Sequence, residues 1–381
     1  MKIGLLMPSV YMGRKYKDKI FAPKELFLHL ADGLVTNGHT VFVYAAPDTK
    51  TKAHLITGEG ALVERDFISP KFRGLDRLAK LKNAHTATKI EYEIDLTVKA
   101  FLHAKKVGVQ IMHAYHDFMA HYVNHLSNLP TVYTVHDPRP RPEHIEHWRF
   151  KHFPNDNYIF ISQSQKQNFR ELIHSIGVVY HGLDTGTFSF DKQGGTYLGF
   201  IGRYIKEKGV VEAISAATSV GLPLKMVSDD AYRALAYYQK NVLPRLKKGV
   251  VEDETFYGEN DRGKFFRNAF ALLFPIQWEE PFGMVMIEAM SCGTPVIAFD
   301  RGSVSEVVKN GETGFVVPPK EGVAGIVKAI KRLQGLSPEA YQAMRLACRK
   351  HVEDNFTITR MVADHERLYK AVIEKSKHRK S

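Results

Sequence analysis

Short apolar runs alternate along this chain with segments in which apolar residues recur every three or four positions. Such runs predict buried parallel strands, and the spaced segments predict amphipathic helices. In the first half the predicted strands are 1–7, 40–46, 109–113, 129–135 and 158–162, and the predicted helices are 24–37 and 99–107. Strand, helix and strand in this order form right-handed units, so the first half is predicted to be a doubly wound parallel sheet.

The same alternation starts again in the second half. Here the predicted strands are 196–201, 224–227, 269–275 and 294–299, and the predicted helices are 210–219 and 284–291. Residues 183–195 are rich in Gly, Thr, Asp and Ser, which is typical of a linker. A chain of 381 residues is also too long for one ordinary core. We therefore predict two α/β domains, 1–182 and 196–355, followed over 356–381 by a last helix after Asn355 and a basic tail.

The clearest helix boundary in the sequence is at Gly283. Pro281 and Gly283 are unfavourable inside a helix, whereas residues 284–291 are good helix formers, so a helix is expected to begin just after Gly283 and to stop before Gly293. The unpaired amides and positive dipole end of such a helix bind anions, and a glycine lets a phosphate approach the backbone. The sequence therefore predicts an anion site after the strand 269–275.

Two carboxylates, Glu280 and Glu288, flank this helix start eight positions apart. In isolation the pair would be interpreted as solvated surface charges. Their place after a predicted parallel strand changes that interpretation, because open α/β sheets bind ligands at the carboxyl ends of their strands. Glu280 precedes the helix and Glu288 lies a turn or more inside it, so we predict that they accept hydroxyls at separate points of one elongated ligand.

A second predicted strand end carries two cations. Gly202-Arg203 and Lys208-Gly209 follow the strand 196–201 and are predicted to clamp a diphosphate, because the charge released on such a leaving group must be held in a dry site. The sequence contains no Asp-x-Asp motif to hold a divalent metal. The adjacent acids Asp229-Asp230 and 252–254 lie in polar stretches and are predicted to be surface residues. No metal and no cofactor are therefore predicted.

These motifs resemble the donor site of the retaining glycosyltransferases of GT-B fold, in the large family four group, the group 1 glycosyl transferases. The resemblance covers nearly the whole chain and is strongest over 203–318. It implies an α/β architecture in which two Rossmann-like, doubly wound parallel-sheet domains face each other across a cleft, with the last helix crossing back to the first domain. It also implies a retaining, metal-independent transfer of a hexosyl unit from a UDP- or GDP-linked sugar.

The resemblance further implies roles for individual residues. Glu280 would bind hydroxyls of the donor sugar and Glu288 the ribose diol, while Arg203 and Lys208 would hold the diphosphate. His136 ends the strand 129–135, as the family's histidine ends a similar strand, and would contact the sugar near the reacting carbon. Glu280 and His136 are accordingly the predicted catalytic residues. The other predicted donor-site residues are Gly202, Phe282, Gly283, Met284 and Val285.

The predicted acceptor-side residues are His113, His116 and Lys24. The sequence departs from the family in this half, because Ala22-Pro23 stands where members often have a Gly-Gly pair. His181 also replaces the asparagine of an interdomain Pro-Asn-Gly segment. The acceptor is thus unidentified, with a lipid or cell-envelope glycan precursor as the expected class. His121 and His125 have metal-ligand spacing, but the sequence offers no third ligand.

The net charge of +12 indicates anionic partners. Basic residues cluster beside apolar ones at 14–24 and 71–82, so peripheral contact with an anionic membrane is expected besides the nucleotide-sugar donor. Nucleic acid binding would rest on charge alone and is not predicted. Cys292 and Cys348 are too few for a disulfide scaffold, and the first apolar run is ended by Pro8, unlike a signal peptide. A cytoplasmic protein is therefore predicted.

Two other functions remain compatible with these residues. One is a GT-B phosphorylase or epimerase that acts on a similar donor. The other is a catalytically silent GT-B binding subunit, for which the altered Ala22-Pro23 loop is the hint. A dinucleotide-dependent dehydrogenase is disfavoured, because no G-x-G-x-x-G follows the first predicted strand.

Overall fold

The computed structural model of the chain describes residues 1–9, 12, 22–59, 77–115, 119–255 and 259–378. These residues form two compact units, the first comprising Met1–Phe160, Phe169–Val179 and Val362–Ser381, and the second Ile161–Asn168 and Tyr180–Met361. Within the described part of the chain, no helix is long and apolar enough to cross a membrane.

The first unit contains a seven-stranded sheet in which every neighbouring pair is parallel. Its strands are β1 (Lys2–Leu6), β2 (Thr40–Tyr44), β3 (His54–Ile56), β4 (Ile111–Ala114), β5 (Thr131–Val135), β6 (Asn157–Phe160) and β7 (Ser175–Val178), in the order β3-β2-β1-β4-β5-β6-β7. The associated helices are Ala22–Thr36, Arg77–Val107, Met119–Ser127, Ile145–His152 and, from Val362 on, Ile358–His378, whereas the helix Gln163–Phe169 belongs to the second unit up to Asn168.

The second unit contains a six-stranded parallel sheet. Its strands are β8 (Tyr197–Ile201), β9 (Leu224–Val227), β10 (Val251–Glu254), β11 (Ala269–Phe274), β12 (Val296–Phe299) and β13 (Gly314–Val317), in the order β10-β9-β8-β11-β12-β13. The helices are Val210–Val220, Asp230–Arg233, Ala236–Asn241, Glu259–Arg267, Met284–Ser291, Val304–Val307, Gly322–Gln334 and Pro338–Asn355, with 3₁₀ turns at Lys206–Lys208, Leu243–Arg245 and Pro319–Glu321. The prediction of two Rossmann-like α/β sheets is confirmed.

The central strands of the second sheet are apolar and buried, as parallel strands covered on both faces must be. The two strands β8 and β11 are neighbours and run in the same direction. The loops that follow them therefore emerge at the same edge of the sheet, where doubly wound folds bind ligands. This arrangement brings together the two loops that carry the predicted cations and the first predicted carboxylate.

The segment 183–195 has a fixed place in the second unit. Arg345, which is fully buried, donates from Nε to the carbonyl of Asp191 at 2.9 Å and from Nη2 to the carbonyl of Cys292 at 3.2 Å. Arg349 donates to the carbonyls of Phe188 at 2.7 Å and Ser291 at 2.9 Å. Each guanidinium thereby ties this segment to the end of the helix Met284–Ser291.

Candidate functional site

The loop after β8 and the loop after β11 are in direct contact. The backbone amide of Gln277 donates to the carbonyl of Glu207 at 2.8 Å. Gly209 has a φ of 72°, and a Cβ at this position would lie 1.9 Å from the carbonyl oxygen of Pro275. Only glycine permits this approach, because any side chain would overlap the backbone of the other loop. Gly209 thus allows the backbone next to Lys208 to approach the loop after β11 closely.

Lys208, Trp278 and Glu280 form a hydrogen-bonded cluster between these loops. Lys208 Nζ lies 2.7 Å from Oε2 of Glu280, and the indole Nε1 of Trp278 donates to the same oxygen at 2.8 Å. The side chains of Lys208 and Glu280 are 16% and 10% exposed, so the pair is largely withdrawn from water. A charged pair at this depth is less screened than a surface pair and needs the additional donor that Trp278 provides.

Two cations lie against the ring of Trp278. The ammonium of Lys208 is 4.6 Å from the ring centroid, and the guanidinium carbon of Arg203 is 5.3 Å from it. Both distances are within the range of a cation–π contact. Arg203 is exposed, and Gly202 before it donates its amide to the carbonyl of Val227 at 3.1 Å. The predicted diphosphate cations are thus held next to each other, with Arg203 open to a ligand.

The helix Met284–Ser291 begins beside this cluster, with Gly283 as its N-cap. Gly283 has a φ of 80° and no side chain caps the helix, while Met284 and Val285 in its first turn are partly exposed. The preceding loop is fixed by Ser303, whose amide donates to the carbonyl of Glu280 and whose hydroxyl donates to that of Phe282, both at 2.9 Å. The first turn therefore presents backbone amides next to Glu280.

Two predicted donor-site side chains are buried. Phe282 packs edge-on against His181, with ring centroids 5.1 Å apart, so its side chain belongs to the core and only its backbone lies at the loop. Glu288 is the fifth residue of the helix and accepts a hydrogen bond from Nη1 of Arg262 at 3.1 Å. The Glu288 carboxylate, like that of Glu280, thus contacts a basic side chain.

The two predicted histidines of the first unit, His136 and His113, differ in their exposure. His136 directly follows β5, is partly exposed, and lies 4.6 Å from Tyr115 between ring centroids. His113 is fully buried, with ring nitrogens 2.6 Å from the hydroxyl of Tyr369 and 2.7 Å from that of Thr134. Burial, reinforced by neighbouring histidines, holds the pKa of His113 well below its usual range. The prediction that His113 contacts an acceptor is therefore wrong, because its imidazole is a neutral part of the core.

Two more acceptor-side expectations have simple outcomes. His116 lies outside the described residues. Lys24 lies in the first turn of the helix Ala22–Thr36, where it is partly buried. The side chains of residues 256–260, which follow β10, lie outside the described part of the structure.

Within the acidic cluster 252–254, Asp253 is not the surface residue that its polarity predicts. Asp253 is in strand β10, is only 6% exposed at its side chain, and accepts hydrogen bonds from Arg233, Tyr204 and Tyr238. Burial alone would raise the pKa of Asp253, but these hydrogen bonds lower it below the ordinary value. Asp253 is thus an anion with a structural role. The strand that begins at Val251 is the sequence feature that could have indicated its burial.

The paired histidines of the first unit have a structural partner. His121 Nδ1 lies 2.7 Å from Asp156, and His125 Nε2 lies 3.4 Å from the other oxygen of the same carboxylate. Over the described ranges, no group of three or more His, Cys, Asp or Glu side chains has the arrangement of a metal site. These three residues are therefore explained as a hydrogen-bonded cluster.

Trp278 is the site residue that the motifs did not reveal. It lies only two residues before Glu280, but a tryptophan in a loop has no spacing rule that assigns it to a ligand site. Only the contact between the loops after β8 and β11 brings its ring against both cations.

Comparison with known proteins agrees with this geometry. Residues 187–351, which include the loops and the helix just described, match the family described as glycosyl transferases group 1. The matched segment is less than half of the chain. The glycogen synthase of Mycobacterium tuberculosis is 27% identical to this chain over 297 residues, which is 68% of this chain and 69% of the relative.

Solved structures support the fold. The sucrose-phosphate synthase of Thermosynechococcus elongatus matches 98% of this chain and 100% of its own chain, with a TM-score of 0.73 and 18% identity. Anabaena Alr3699/HepE was solved in complex with UDP and glucose. It matches 97% of this chain and 100% of its own chain, with a TM-score of 0.68 and 16% identity. At such low identity these likenesses concern architecture alone, and they assign the chain to the GT-B fold.

Proposed function

We propose that this glycosyltransferase transfers a hexosyl unit from a UDP- or GDP-linked sugar to an acceptor hydroxyl, with retention of anomeric configuration and without a divalent metal. The observation that carries the proposal is the cluster of Lys208, Trp278 and Glu280 beside the helix start at Gly283. The cluster combines fixed cations, backbone amides and a buried carboxylate at one sheet edge. A sugar diphosphate needs these three kinds of group.

In this proposal the cations and the amides hold the diphosphate. Arg203 is exposed and suited to bind two phosphate oxygens, whereas Lys208 acts as a single charge. The amides of Met284 and Val285 add donors at the positive end of the helix. Together these groups would stabilise the charge that develops on the leaving diphosphate, which is the role a divalent metal has in other transferases.

The two carboxylates hold the remainder of the donor. Glu280 would accept hydroxyls of the hexose, and Glu288 would accept the ribose diol from inside the helix. Both are largely buried, and each contacts a basic side chain in the donor-free protein. A buried acceptor of this kind favours a ligand with hydroxyl donors and disfavours one that leaves the carboxylate unpaired.

We propose the following reaction by resemblance to retaining glycosyltransferases of GT-B fold. The bond between the anomeric carbon and the diphosphate oxygen breaks, and the acceptor oxygen bonds to that carbon on the same face. The acceptor proton passes to an oxygen of the leaving diphosphate, so no enzymic nucleophile is required. His136, partly exposed after β5, is assigned to the sugar near the reacting carbon.

The relatives suggest which donor and acceptor to test first. HepE was solved with UDP and glucose, which makes UDP-glucose the first donor to test. We propose a cytoplasmic enzyme whose acceptor is a lipid or cell-envelope glycan precursor. The basic positions 14–24 and 71–82 would contact an anionic membrane, although most of them lie outside the described residues. Flotation with vesicles that contain or lack anionic lipid tests this contact.

A donor-turnover assay tests the proposal. The purified protein is incubated with UDP- and GDP-hexoses in EDTA, and the released nucleoside diphosphate is measured beside Glu280→Ala. We expect the parent to release the nucleoside diphosphate slowly and without stimulation by Mg²⁺. The variant should release no nucleoside diphosphate. The anomeric configuration of any transferred sugar, read by NMR, tests retention. Release that depends on phosphate would favour a phosphorylase, and nucleotide binding without turnover would favour a silent subunit.

A further inference from the structure

Lys208 and Glu280 are each assigned to the donor, yet in the structure they contact each other at 2.7 Å. A diphosphate that binds the Lys208 ammonium competes with Glu280 for it. The inference rests on the proposed function and concerns how Glu280 is held when Lys208 turns to the diphosphate. The Glu280 side chain is only 10% exposed, so a carboxylate that simply lost its lysine would be left as a buried, poorly compensated charge.

We infer that Trp278 is a positioning residue that holds Glu280 in place while Lys208 changes partner from the carboxylate to the diphosphate. Its indole Nε1 donates to the same Glu280 oxygen that Lys208 contacts, at 2.8 Å. This hydrogen bond does not depend on Lys208, so it persists when the ammonium turns away. The carboxylate therefore keeps one donor and its orientation until the sugar hydroxyls arrive.

The ring of Trp278 has the complementary role for the cations. Lys208 lies 4.6 Å from the ring centroid, and Arg203 lies 5.3 Å from it. Because the ring face attracts a cation over a broad area, Lys208 can shift along it without losing this contact. One side chain thus supports the lysine through its ring and the carboxylate through its N–H.

This arrangement predicts how a nucleoside diphosphate without sugar should bind. Its diphosphate binds Lys208, but it has no hexose hydroxyl to donate to Glu280. The Glu280 carboxylate therefore competes with the diphosphate for the lysine. Neutralising the carboxylate in Glu280→Gln removes that competition. UDP should therefore bind about threefold more tightly to Glu280→Gln than to the parent, even though turnover of UDP-glucose is lost.

Removal of the indole N–H should have the opposite effect, and only when the carboxylate is present. Trp278→Phe keeps a ring and loses the donor, so Glu280 retains Lys208 and UDP affinity should fall about tenfold. In the Glu280→Gln background the carboxylate that the indole N–H supports is absent. There Trp278→Phe should change UDP affinity by less than about twofold. Trp278→Gln, which keeps an N–H donor, should recover part of the loss.

Calorimetric titration of UDP and of GDP into the full-length parent, the single variants and the double variant tests the inference. Trp148→Phe, which removes the chain's other tryptophan from a half-exposed position in the first unit, is the matched control and should bind as the parent does. A Trp278→Phe effect of equal size in both backgrounds would assign the residue a merely structural role and overturn the inference. If Glu280→Gln binds UDP more weakly than the parent does, that result alone would overturn the inference, whatever the Trp278 variants show.

The failure of this inference can be told apart from the failure of the proposed function. If the parent binds UDP or GDP and the Trp278 variants bind it equally well, the positioning role is wrong and the donor assignment stands. If the folded parent binds neither nucleotide, the donor assignment is contradicted, and the inference falls with it. Urea unfolding of each variant establishes that the protein compared in each titration is folded.

Discussion

Lys208 and Glu280, which are 72 positions apart in the sequence, are joined by a 2.7 Å ion pair between the loops that follow β8 and β11. The backbone bond from Gln277 to Glu207 and the close approach of Gly209 to Pro275 fix this pairing. The fold therefore brings both charges to the same edge of the second sheet.

Loss of the ammonium at position 208 should impair turnover strongly. We expect Lys208→Met to lower kcat/KM for the nucleotide sugar by about 100-fold or more, because a charge aimed at the leaving diphosphate is removed. Lys206→Met, two residues away and exposed, is the matched control and should stay near the parent value. Steady-state kinetics of both variants provide the comparison, and equal effects would exclude a special role for Lys208.

The conformation of Gly283 should be important for donor binding as well as for stability. In Gly283→Ala a Cβ would be placed at a φ of 80° and 2.7 Å from the Cε of Met286, so the helix start must shift. We expect a loss of about 1–2 kcal/mol in the free energy of unfolding together with weaker nucleotide binding.

Gly221→Ala is the control for this substitution, because Gly221 has a φ of 70° at a helix C-terminus with open space around the Cβ position. It should cost about 1 kcal/mol and leave nucleotide affinity unchanged. Urea unfolding and calorimetry distinguish the two variants. Unchanged nucleotide affinity in Gly283→Ala would argue against amides of this helix as diphosphate donors.

Arg345 should be essential for folding of the second unit. Its guanidinium is fully buried and donates to main-chain carbonyls, including those of Asp191 and Cys292. Arg345→Met leaves buried acceptors without their donor, so we expect a loss of about 3 kcal/mol or more in the free energy of unfolding. Arg367→Met, at an exposed position, should cost about 0.5 kcal/mol or less in the same urea titration.

Stability should fall at mildly acidic pH because of buried histidines. Burial lowers the pKa of His113 and of His351 in the folded protein, whereas the unfolded chain protonates near pH 6.5. As the pH falls, the unfolded chain is therefore protonated before the folded protein is. The contribution of these histidines to stability is fully present above about pH 7 and is lost as the pH falls toward their pKa values in the folded protein. The slope can reach about 1.4 kcal/mol per pH unit for one fully shifted group.

His113→Gln, which cannot titrate, should flatten this dependence, and His125→Gln, at an exposed position, should leave it unchanged. Urea unfolding at pH 7.5, 6.5 and 5.5 measures the slopes. An identical slope in the parent and in His113→Gln would show that His113 titrates normally in the folded protein.

Local signals in the sequence were sufficient for most of the fold. The bounds of the helix Met284–Ser291 agree with the prediction, because Gly283 and Gly293 punctuate it on both sides. The buried central strands were also recognisable from their apolar runs. The strands β3, β7 and β13 were not predicted, because each is a short strand of three or four residues at the edge of its sheet.

The site was only partly predictable, since its decisive contacts join distant segments. Motif spacing identified Lys208 and Glu280 separately, but it could not reveal that they pair or that Trp278 joins them. Composition made residues 183–195 look like a linker, because the two arginines that hold this segment lie more than 150 positions away. His113 looked accessible at a strand end, because the covering Tyr369 comes from the last helix.

Turnover of a nucleotide sugar by Glu280→Gln, compared with Glu279→Gln, tests the central claim most directly. The two glutamates are adjacent, but Glu279 is exposed and bonds the amide of Gly302, whereas Glu280 lies in the cluster with Lys208. We expect Glu279→Gln to release UDP from UDP-glucose at nearly the parent rate and Glu280→Gln to be slower by about 100-fold or more. Equal rates for the two variants, whether both normal or both impaired, would contradict the assignment of this cluster as the donor site.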